Sequence, residues 1–451
     1  IAHEYFHNWT GNRVTIRDWF QLALKEGLTS FREQEFSEDM GSQAVNRIRN
    51  VSSLCSCQFP EYAGPLAHPV LPLSFTSPSD SYTRTTYIKG AEIFRMLKNL
   101  LGEKLFREGT DLYFASNDGK AVTIQDFLHA MKSVSKKDIS HFARWFEQAG
   151  TPIVDVTMDY DEESEEVRLH VKQLAPVITD SKKAKPFYFP LAMGLIDPES
   201  KKDLLLDCEG YEANTTLNLH ISEEEQTFVF HNIKSRPIPS LLRDFSAPVI
   251  LKYPYLYDEV CFLMKYDSNL FNRHKASQDL AKEELRNCVL AIECNQNYEF
   301  SKAFIHAFGE LLKENDIDNA LRAQMLCLPS VSTLLADMDH YAIDAVYEAR
   351  DRLAKTLTRS FEKYFYRLAV DLHEQGPYVY NVDAIGKRAL KNTSLAYVSL
   401  LHGTPHLKWI KDRFDIANNM TDSLAALKIL SQFQSRFSDE ALDAFYQKWK
   451  N

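Results

Sequence analysis

The chain has 451 residues, of which 45% are hydrophobic and 25% are charged, and its net charge is −10 at pH 7. This composition excludes collagen-like, wholly disordered and small disulfide-stabilised proteins, and no apolar run reaches the ~18 residues of a membrane-spanning helix. Since 62 acidic side chains outnumber 52 basic ones, no basic surface for nucleic acid is expected. We therefore expect a protein of several domains that binds neither nucleic acid nor a membrane.

The cysteines and the chain ends give two further expectations. The seven cysteines contain no C-x-x-C pair, which favours thiols in a reducing compartment over a disulfide framework or a structural zinc site. The chain begins at Ile1 without a signal-peptide pattern and ends at Asn451 in a helical pattern that lacks a cap. We expect a piece of a longer protein, with any targeting signal upstream.

Residues 1–150 are predicted to be mainly helical. Apolar residues recur at helical spacing in 91–101, 124–134 and 139–148. Residues 54–80 are rich in Pro and Ser and are predicted to form one long irregular loop, which in a compact domain is more often functional than idle.

Residues 151–250 are predicted to form a β-sandwich. Short alternating segments separated by charged turns indicate strands, at 153–158, 167–171, 188–195 and 226–230. The segment 235–239, S-R-P-I-P, is predicted to be a linker that closes this domain.

Residues 251–451 are predicted to form an α-helical domain. Helical periodicity without strand signals runs through 278–294, 301–314, 341–372, 382–401 and 420–433. Successive helices with short connections indicate a solenoid-like array, although no strict repeat is visible. The predicted fold class is multidomain α+β.

The strongest chemical signal lies at the start of the chain, where His3-Glu4-Tyr5-Phe6-His7 has the pattern H-E-x-x-H. On a helix, His3 and His7 are four residues apart and share a face, so both imidazoles can bind one zinc ion. Zinc lowers the pKa of a bound water towards about 7, and Glu4 is placed to take its proton.

Glu26 is the candidate third ligand. It lies 19 residues after His7, in the segment L-K-E-G-L-T. The intervening residues 10–13, T-G-N-R, favour a turn, so the first helix can end there. A second helix beginning near Phe20 can then present Glu26 to the metal.

These motifs together resemble the zinc aminopeptidase N family of gluzincin metallopeptidases, and in particular its bacterial aminopeptidase N branch. The resemblance rests on H-E-Y-F-H-N-W at 3–9, L-K-E-G-L-T at 24–29 and Y-I-K-G-A-E at 87–92. It extends more loosely over the whole chain. It implies that 1–150 is the remainder of a thermolysin-like catalytic domain, incomplete at its N-terminus, and that 251–451 is truncated.

The resemblance also assigns roles to individual residues. His3, His7 and Glu26 correspond to the family's ligands of one Zn2+ per chain, and Glu4 corresponds to its general base. Tyr87 corresponds to the tyrosine that stabilises the tetrahedral oxyanion, a role that suits a phenol donor placed where negative charge develops.

Three further positions correspond less closely to the family pattern. Lys25 and Tyr82 match positions near the bound substrate. Glu33 lies seven residues after Glu26, on the same helical face, and is an outer carboxylate that could orient a ligating histidine. The bacterial members usually have Asp at that position.

The implied function is a cytoplasmic zinc aminopeptidase that releases N-terminal residues from peptides with a free N-terminus. Two alternatives remain open at this point. One is an endopeptidase of the thermolysin kind, which shares H-E-x-x-H but lacks Y-x-K-G-A-E. The other is an inactive module that only binds a partner, because the family's amine-anchoring motif G-A-M-E-N and its N-terminal β domain do not occur in this sequence. The sequence does not indicate the oligomeric state of the protein.

Overall fold

The structure is a computed structural model, which describes residues 1–176, 184–336, 338, 342–401 and 404–450. The chain divides into two compact units, Ile1–Arg273 and His274–Asn451. Within the described ranges, none of the helices combines the length and apolar character needed to cross a membrane.

The first unit begins with helices and ends with β-structure. Its α-helices are α1 (Ala2–Phe6), α2 (Leu22–Asp39), α3 (Gln43–Ser53), α4 (Phe59–Ala63), α5 (Gly90–Leu101), α6 (Glu103–Asn117), α7 (Ile124–Ser135), α8 (Arg144–Glu147) and α9 (Tyr257–Tyr266). Its π-helical turns are Leu54–Gln58 and Thr85–Lys89. Its 3-10 turns are Trp19–Gln21, Pro78–Ser81, Ser140–Ala143 and Arg243–Phe245.

The prediction of one irregular loop over 54–80 is wrong for its first ten residues. The π turn Leu54–Gln58 continues α3 directly into α4. Pro60 lies in the first turn of α4, directly after the π turn. The prediction of a helix over 139–148 holds only as a 3-10 turn followed by the short α8.

The β-structure consists of a small parallel pair, a mixed five-stranded sheet and an antiparallel four-stranded sheet. The strands are β1 (Thr15–Ile16), β2 (Ala121–Val122), β3 (Ile153–Asp161), β4 (Glu166–Leu174), β5 (Phe189–Asp197), β6 (Lys202–Asp203), β7 (Asp207–Cys208), β8 (Leu217–Ile221), β9 (Glu225–His231), β10 (Ile238–Leu241) and β11 (Ile250–Lys252). One sheet has the order β11-β3-β4-β9-β7, in which β11 runs parallel to β3, and the other has β10-β5-β6 with β8 also paired to β5.

The sheets explain one correct prediction and one wrong one. β4 alternates between buried and exposed residues, as a half-covered strand should, whereas β5 is buried along almost its whole length because α5 packs on it. The predicted linker 235–239 instead runs into β10, which pairs Pro239 with Leu195 of β5. Proline is tolerated there because β10 is an edge strand.

A buried ion pair joins α3 to α5. Arg47 of α3 donates two hydrogen bonds of 2.7 Å each to the Glu92 carboxylate of α5. The same guanidinium donates to the carbonyl oxygens of Asp244 and Phe245, at 2.8 and 2.9 Å. These two residues have φ of 52°, a left-handed conformation that costs free energy for residues other than glycine. Arg47 therefore stabilises a strained turn while it joins helices to β-structure.

The second unit is helical. Most of α10 (Leu270–Glu293), whose first four residues belong to the first unit, lies in it. Its other helices are α11 (Lys302–Lys313), α12 (Asn319–Met325), α13 (Val331–Ala336), α14 (Ile343–Asp371), α15 (Val382–Val398), α16 (Thr404–Ile416), α17 (Met420–Leu430) and α18 (Arg436–Trp449). α14 and α12 pack on α15, and α16 packs on α17. The multidomain α+β prediction is thus confirmed, while the predicted domain limits at 150 and 250 stay predictions.

Candidate metal centre and active site

Two imidazoles and one carboxylate converge at the start of the chain. The Nε2 atoms of His3 and His7 lie 3.3 and 3.1 Å from the same oxygen, Oε2 of Glu26. α1 brings the two histidines onto one face, with ring centroids 4.6 Å apart and planes nearly perpendicular. α2 supplies Glu26, which is only 4% exposed.

The His7 ring is oriented from its other nitrogen. Nδ1 of His7 lies 2.9 Å from the carbonyl oxygen of Thr10, to which it donates a hydrogen bond, and 3.2 Å from the Thr29 hydroxyl. The hydroxyl groups of Thr10 and Thr29 also contact each other. Donation from Nδ1 leaves the lone pair on Nε2 directed at Glu26, which is the tautomer that a metal-binding histidine needs.

The His3 ring faces a second carboxylate. Its Nδ1 lies 3.6 Å from Oε2 of Glu33, whose side chain is 42% exposed. This distance is longer than a hydrogen bond. α2 thus presents Glu26 and Glu33, two turns apart, to opposite nitrogens of one imidazole.

Lys25 is bound to the other oxygen of Glu26. Its Nζ donates a 2.8 Å hydrogen bond to Oε1, and its aliphatic stem packs on Gly11, where a Cβ would lie 2.8 Å from Cε. Gly11 has φ of +138°, a conformation that favours glycine. Glu26 therefore presents one oxygen to the histidines and the other to a lysine.

Tyr87 approaches the histidines and Glu26 from the π turn Thr85–Lys89. Its ring stacks against His3, with centroids 6.3 Å apart. Burial raises the pKa of the Tyr87 phenol, and the nearby charges of Glu26 and Glu4 raise it further. The phenol is therefore a protonated hydrogen-bond donor at neutral pH. Single π turns in helices occur frequently at functional sites.

An aromatic row leads outward from Tyr87. The ring of Tyr82 lies 6.4 Å from that of Tyr87, and Trp19 lies 6.2 Å beyond Tyr82. Tyr82 is 50% exposed and Trp19 is 46% exposed. Glu4 is also exposed. Glu4 and the outer part of the aromatic row thus face solvent.

The donor set suits a metal ion. The ligand atoms of His3, His7 and Glu26 lie within 4.8 Å of one another. Two imidazole nitrogens and a carboxylate oxygen, with one position left for water or substrate, form the ligand set of catalytic zinc sites. In the part of the chain that the structure describes, no other group of three such side chains converges in this way.

Comparison with known proteins places this centre in a family. Residues 1–146 match the peptidase family M1 domain. Aminopeptidase N of Escherichia coli K12 is 42% identical over 452 aligned residues, which cover 100% of this chain and 51% of that protein. The chain therefore contains a peptidase family M1 domain.

The residues after this domain also match known families. Residues 150–254 match a domain of unknown function with an Ig-like fold, DUF3458, and residues 257–451 match its companion domain of ARM repeats. Aminopeptidase N of Haemophilus influenzae is 40% identical over 100% of the chain and 51% of its own length. The crystal structure of Legionella pneumophila aminopeptidase A in complex with aspartic acid has a TM-score of 0.85 at 30% identity, covering 100% of this chain and 50% of that one. The chain thus spans about half the length of these relatives.

The M1 centre contains residues that sequence analysis missed. The residues predicted from motifs and from the family resemblance lie together: His3, Glu4, His7, Lys25, Glu26, Glu33, Tyr82 and Tyr87. Thr10 and Thr29, which orient His7, and Trp19, which extends the aromatic row, were not predicted. Thr29 lies three residues after Glu26 on α2, so its position on the ligand face is a signal that helical spacing could have supplied.

Proposed function

We propose that the protein is a zinc-dependent aminopeptidase that removes single residues from the N-termini of peptides. The observation that carries this proposal is the convergence of His3, His7 and Glu26 on one point, with Tyr87 beside them. The aminopeptidases among the relatives support it, as does the peptidase family M1 domain over residues 1–146.

The proposed metal ligands are His3, His7 and Glu26, which would hold one Zn2+ per chain. When bound, zinc polarises the scissile carbonyl group and acidifies water. Glu4 is the proposed general base: it takes a proton from the attacking water and then delivers it to the departing amine. Its exposure leaves the carboxylate accessible to substrate.

The proposed oxyanion donor is Tyr87. A protonated phenol donates a hydrogen bond to the oxygen on which negative charge develops, and such a donor contributes about 2–4 kcal/mol to transition-state stabilisation. The stacking of Tyr87 on His3 supports this role because it keeps the phenol close to the ligand histidines.

The remaining proposed roles concern binding and orientation. Lys25 neutralises part of the Glu26 charge and borders the substrate site, and Tyr82 offers a half-exposed ring to the substrate. Glu33 is proposed to orient His3 from outside the ligand set. We propose peptides with a free N-terminus as substrates and the cytoplasm as the location.

The test is hydrolysis of an alanine p-nitroanilide by zinc-loaded protein, expressed from the whole reading frame that contains residues 1–451. Glu4→Gln is expected to lower kcat by at least ~100-fold while zinc content stays at one per chain. N-acetylation of the substrate is expected to abolish turnover. Rapid cleavage inside an N-acetylated peptide would replace the proposal with an endopeptidase. Protein that binds no zinc after supplementation would contradict it.

A further inference from the structure

Lys89, two residues after Tyr87, is buried to an unusual degree. The whole residue is 1% exposed. Its Nζ donates a 3.0 Å hydrogen bond to the carbonyl oxygen of Gly150. Three aromatic rings surround the same atom, with Nζ 4.1 Å from the ring centroid of Tyr62, 5.1 Å from Trp145 and 6.0 Å from Phe187.

Burying a lysine costs free energy, because the ammonium group loses its hydration. Burial lowers the pKa of the Lys89 amine, whereas the faces of the three rings favour the charged form through cation–π attraction. In both protonation states an N–H group can donate to Gly150. A methionine or leucine would fill the same space without the desolvation cost, so packing alone does not explain a buried amine at this position.

The π turn to which Lys89 belongs indicates a role for this amine. The π turn Thr85–Lys89 is anchored at its first residue by Glu61, whose Oε1 accepts a 2.9 Å hydrogen bond from the Thr85 amide. Lys89 anchors its last residue. Tyr87 is the middle residue of the turn, and it is therefore held from both sides.

A π turn needs such anchors. Its wide hydrogen-bonded ring is rare in proteins and is seldom favoured over the α-helical register by local sequence alone. A turn that relaxed to the α-helical register would rotate Tyr87 relative to His3 and Glu26. Fixing both ends removes that freedom.

We propose that Lys89 is a positioning residue for Tyr87: by binding Gly150 within the rings of Tyr62, Trp145 and Phe187, it fixes the turn that presents the Tyr87 hydroxyl to the metal centre. This inference rests on the proposed function for its catalytic consequence. Its structural part, the ordering of the turn, is testable without activity.

The central experiment is a double-mutant cycle in the zinc-loaded protein. Lys89→Met keeps a stem of similar length but removes the donor. We expect it to lower kcat about 10- to 100-fold, since a misplaced catalytic group loses rate at this scale, with KM changed less than ~3-fold and zinc content unchanged. In a Tyr87→Phe background the same substitution is expected to change kcat less than ~2-fold, because interacting residues are non-additive. Equal losses in both backgrounds would overturn the proposal.

Hydrogen exchange of the metal-free protein gives an independent readout. Lys89→Met is expected to speed amide exchange in peptides that cover 84–92 and to leave peptides from 22–39 unchanged. Unchanged exchange at 84–92 would also overturn the proposal. If the wild-type protein binds zinc but shows no aminopeptidase activity, the proposed function fails, and the exchange result still decides the structural part.

Matched variants separate the ring contacts from general damage. Tyr62→Phe retains the ring face nearest to Nζ, and we expect kcat to change less than ~2-fold. Tyr62→Leu removes that face and is expected to lower kcat by a smaller factor than Lys89→Met, again only when Tyr87 is present. If Lys89→Met does not fold, the double-mutant cycle is repeated with Tyr62→Leu. Equal losses of kcat with and without Tyr87 would then overturn the proposal.

Discussion

Gly27 of α2 lies with its backbone directly against the backbone of Gly90 of α5: a Cβ on Gly27 would be 2.9 Å from the Cα of Gly90. Each glycine adjoins a residue of the centre, since Glu26 precedes Gly27 and Lys89 precedes Gly90. The close crossing therefore sets how near the Glu26 carboxylate lies to the turn that carries Tyr87.

We predict that Gly27→Ala destabilises the protein and weakens zinc binding. The added methyl group overlaps main-chain atoms that cannot rotate away, so α2 and α5 must separate. Overpacking of this kind costs about 1–3 kcal/mol. Urea-induced unfolding measures the free energy, and titration of the metal-free protein with zinc measures the affinity.

Gly109→Ala is the matched control for Gly27→Ala. Gly109 is also buried in a helix, and a Cβ there would lie 2.4 Å from Sδ of Met131. Since the flexible end of a methionine can move, we expect a smaller loss of stability and unchanged zinc affinity. A loss of zinc affinity as large in Gly109→Ala as in Gly27→Ala would show that the glycine crossing has no special role.

Thr29→Val is predicted to weaken zinc binding about 10-fold. The substitution keeps the shape of the side chain but removes the hydroxyl that lies 3.2 Å from Nδ1 of His7. Loss of a group that orients a ligating histidine typically reduces metal affinity 10- to 100-fold, and the retained bond to the Thr10 carbonyl favours the lower value. Thr29→Ser, which keeps the hydroxyl, is expected to bind zinc as the wild type does. Equal affinities for the Val and Ser variants would contradict the role of this hydroxyl.

Arg47→Met is predicted to lower the free energy of unfolding by about 3 kcal/mol, because it removes both hydrogen-bond donors of the buried Glu92 carboxylate and leaves only Arg95, 3.8 Å away. Arg47→Met combined with Glu92→Leu is expected to cost less than Arg47→Met alone, since no unpaired charge remains. Chemical denaturation of the three proteins measures the difference. A double variant that is less stable than the single one would show that the unpaired Glu92 charge is not the main cost of Arg47→Met.

Asp267 is predicted to make stability depend on pH between about 4 and 6. Burial raises the pKa of its carboxyl group to about 6, although Arg243 and a hydrogen bond from Ser240 oppose the shift. The folded state therefore holds this proton more tightly than the unfolded state does. The stabilisation is fully present below the unfolded pKa of about 3.9 and is lost as pH rises through about 6.

The measurement for Asp267 compares the wild type with Asp267→Asn. Relative to this variant, which cannot titrate, the wild type is expected to lose up to about 3 kcal/mol of unfolding free energy between pH 4 and 7, at about 1.4 kcal/mol per pKa unit. Parallel stability curves for the two proteins over this range would refute the assignment.

Sequence patterns were sufficient where the decisive geometry is local. His3 and His7 share a face because they lie four residues apart on one helix, and the spacing of Glu26 allows a turn between two helices. The sheet prediction succeeded for β4 because one face of that strand is exposed, which produces alternation.

Features that depend on contacts between distant segments were not predicted. Nothing near Gly27 in the sequence indicates that it meets Gly90, and nothing near Arg47 indicates that it binds Glu92. Two prolines that indicated irregular structure lie within regular elements instead, Pro60 in the first turn of α4 and Pro239 on the edge strand β10. A proline in the sequence does not show whether the backbone at that position faces a hydrogen-bonding partner in the fold.

The contacts of Arg47 with the turn at Asp244 and Phe245 also bear on protein engineering. A cut near residue 150, where helices give way to strands, would strip this guanidinium of two main-chain acceptors and expose the apolar face of α5 that covers β5. A chimera whose sheets come from a relative would place Arg47 and α5 against a turn and a strand from another protein. Donor fragments for such grafts should therefore keep α3, α5 and the turn at Asp244 and Phe245 in one piece.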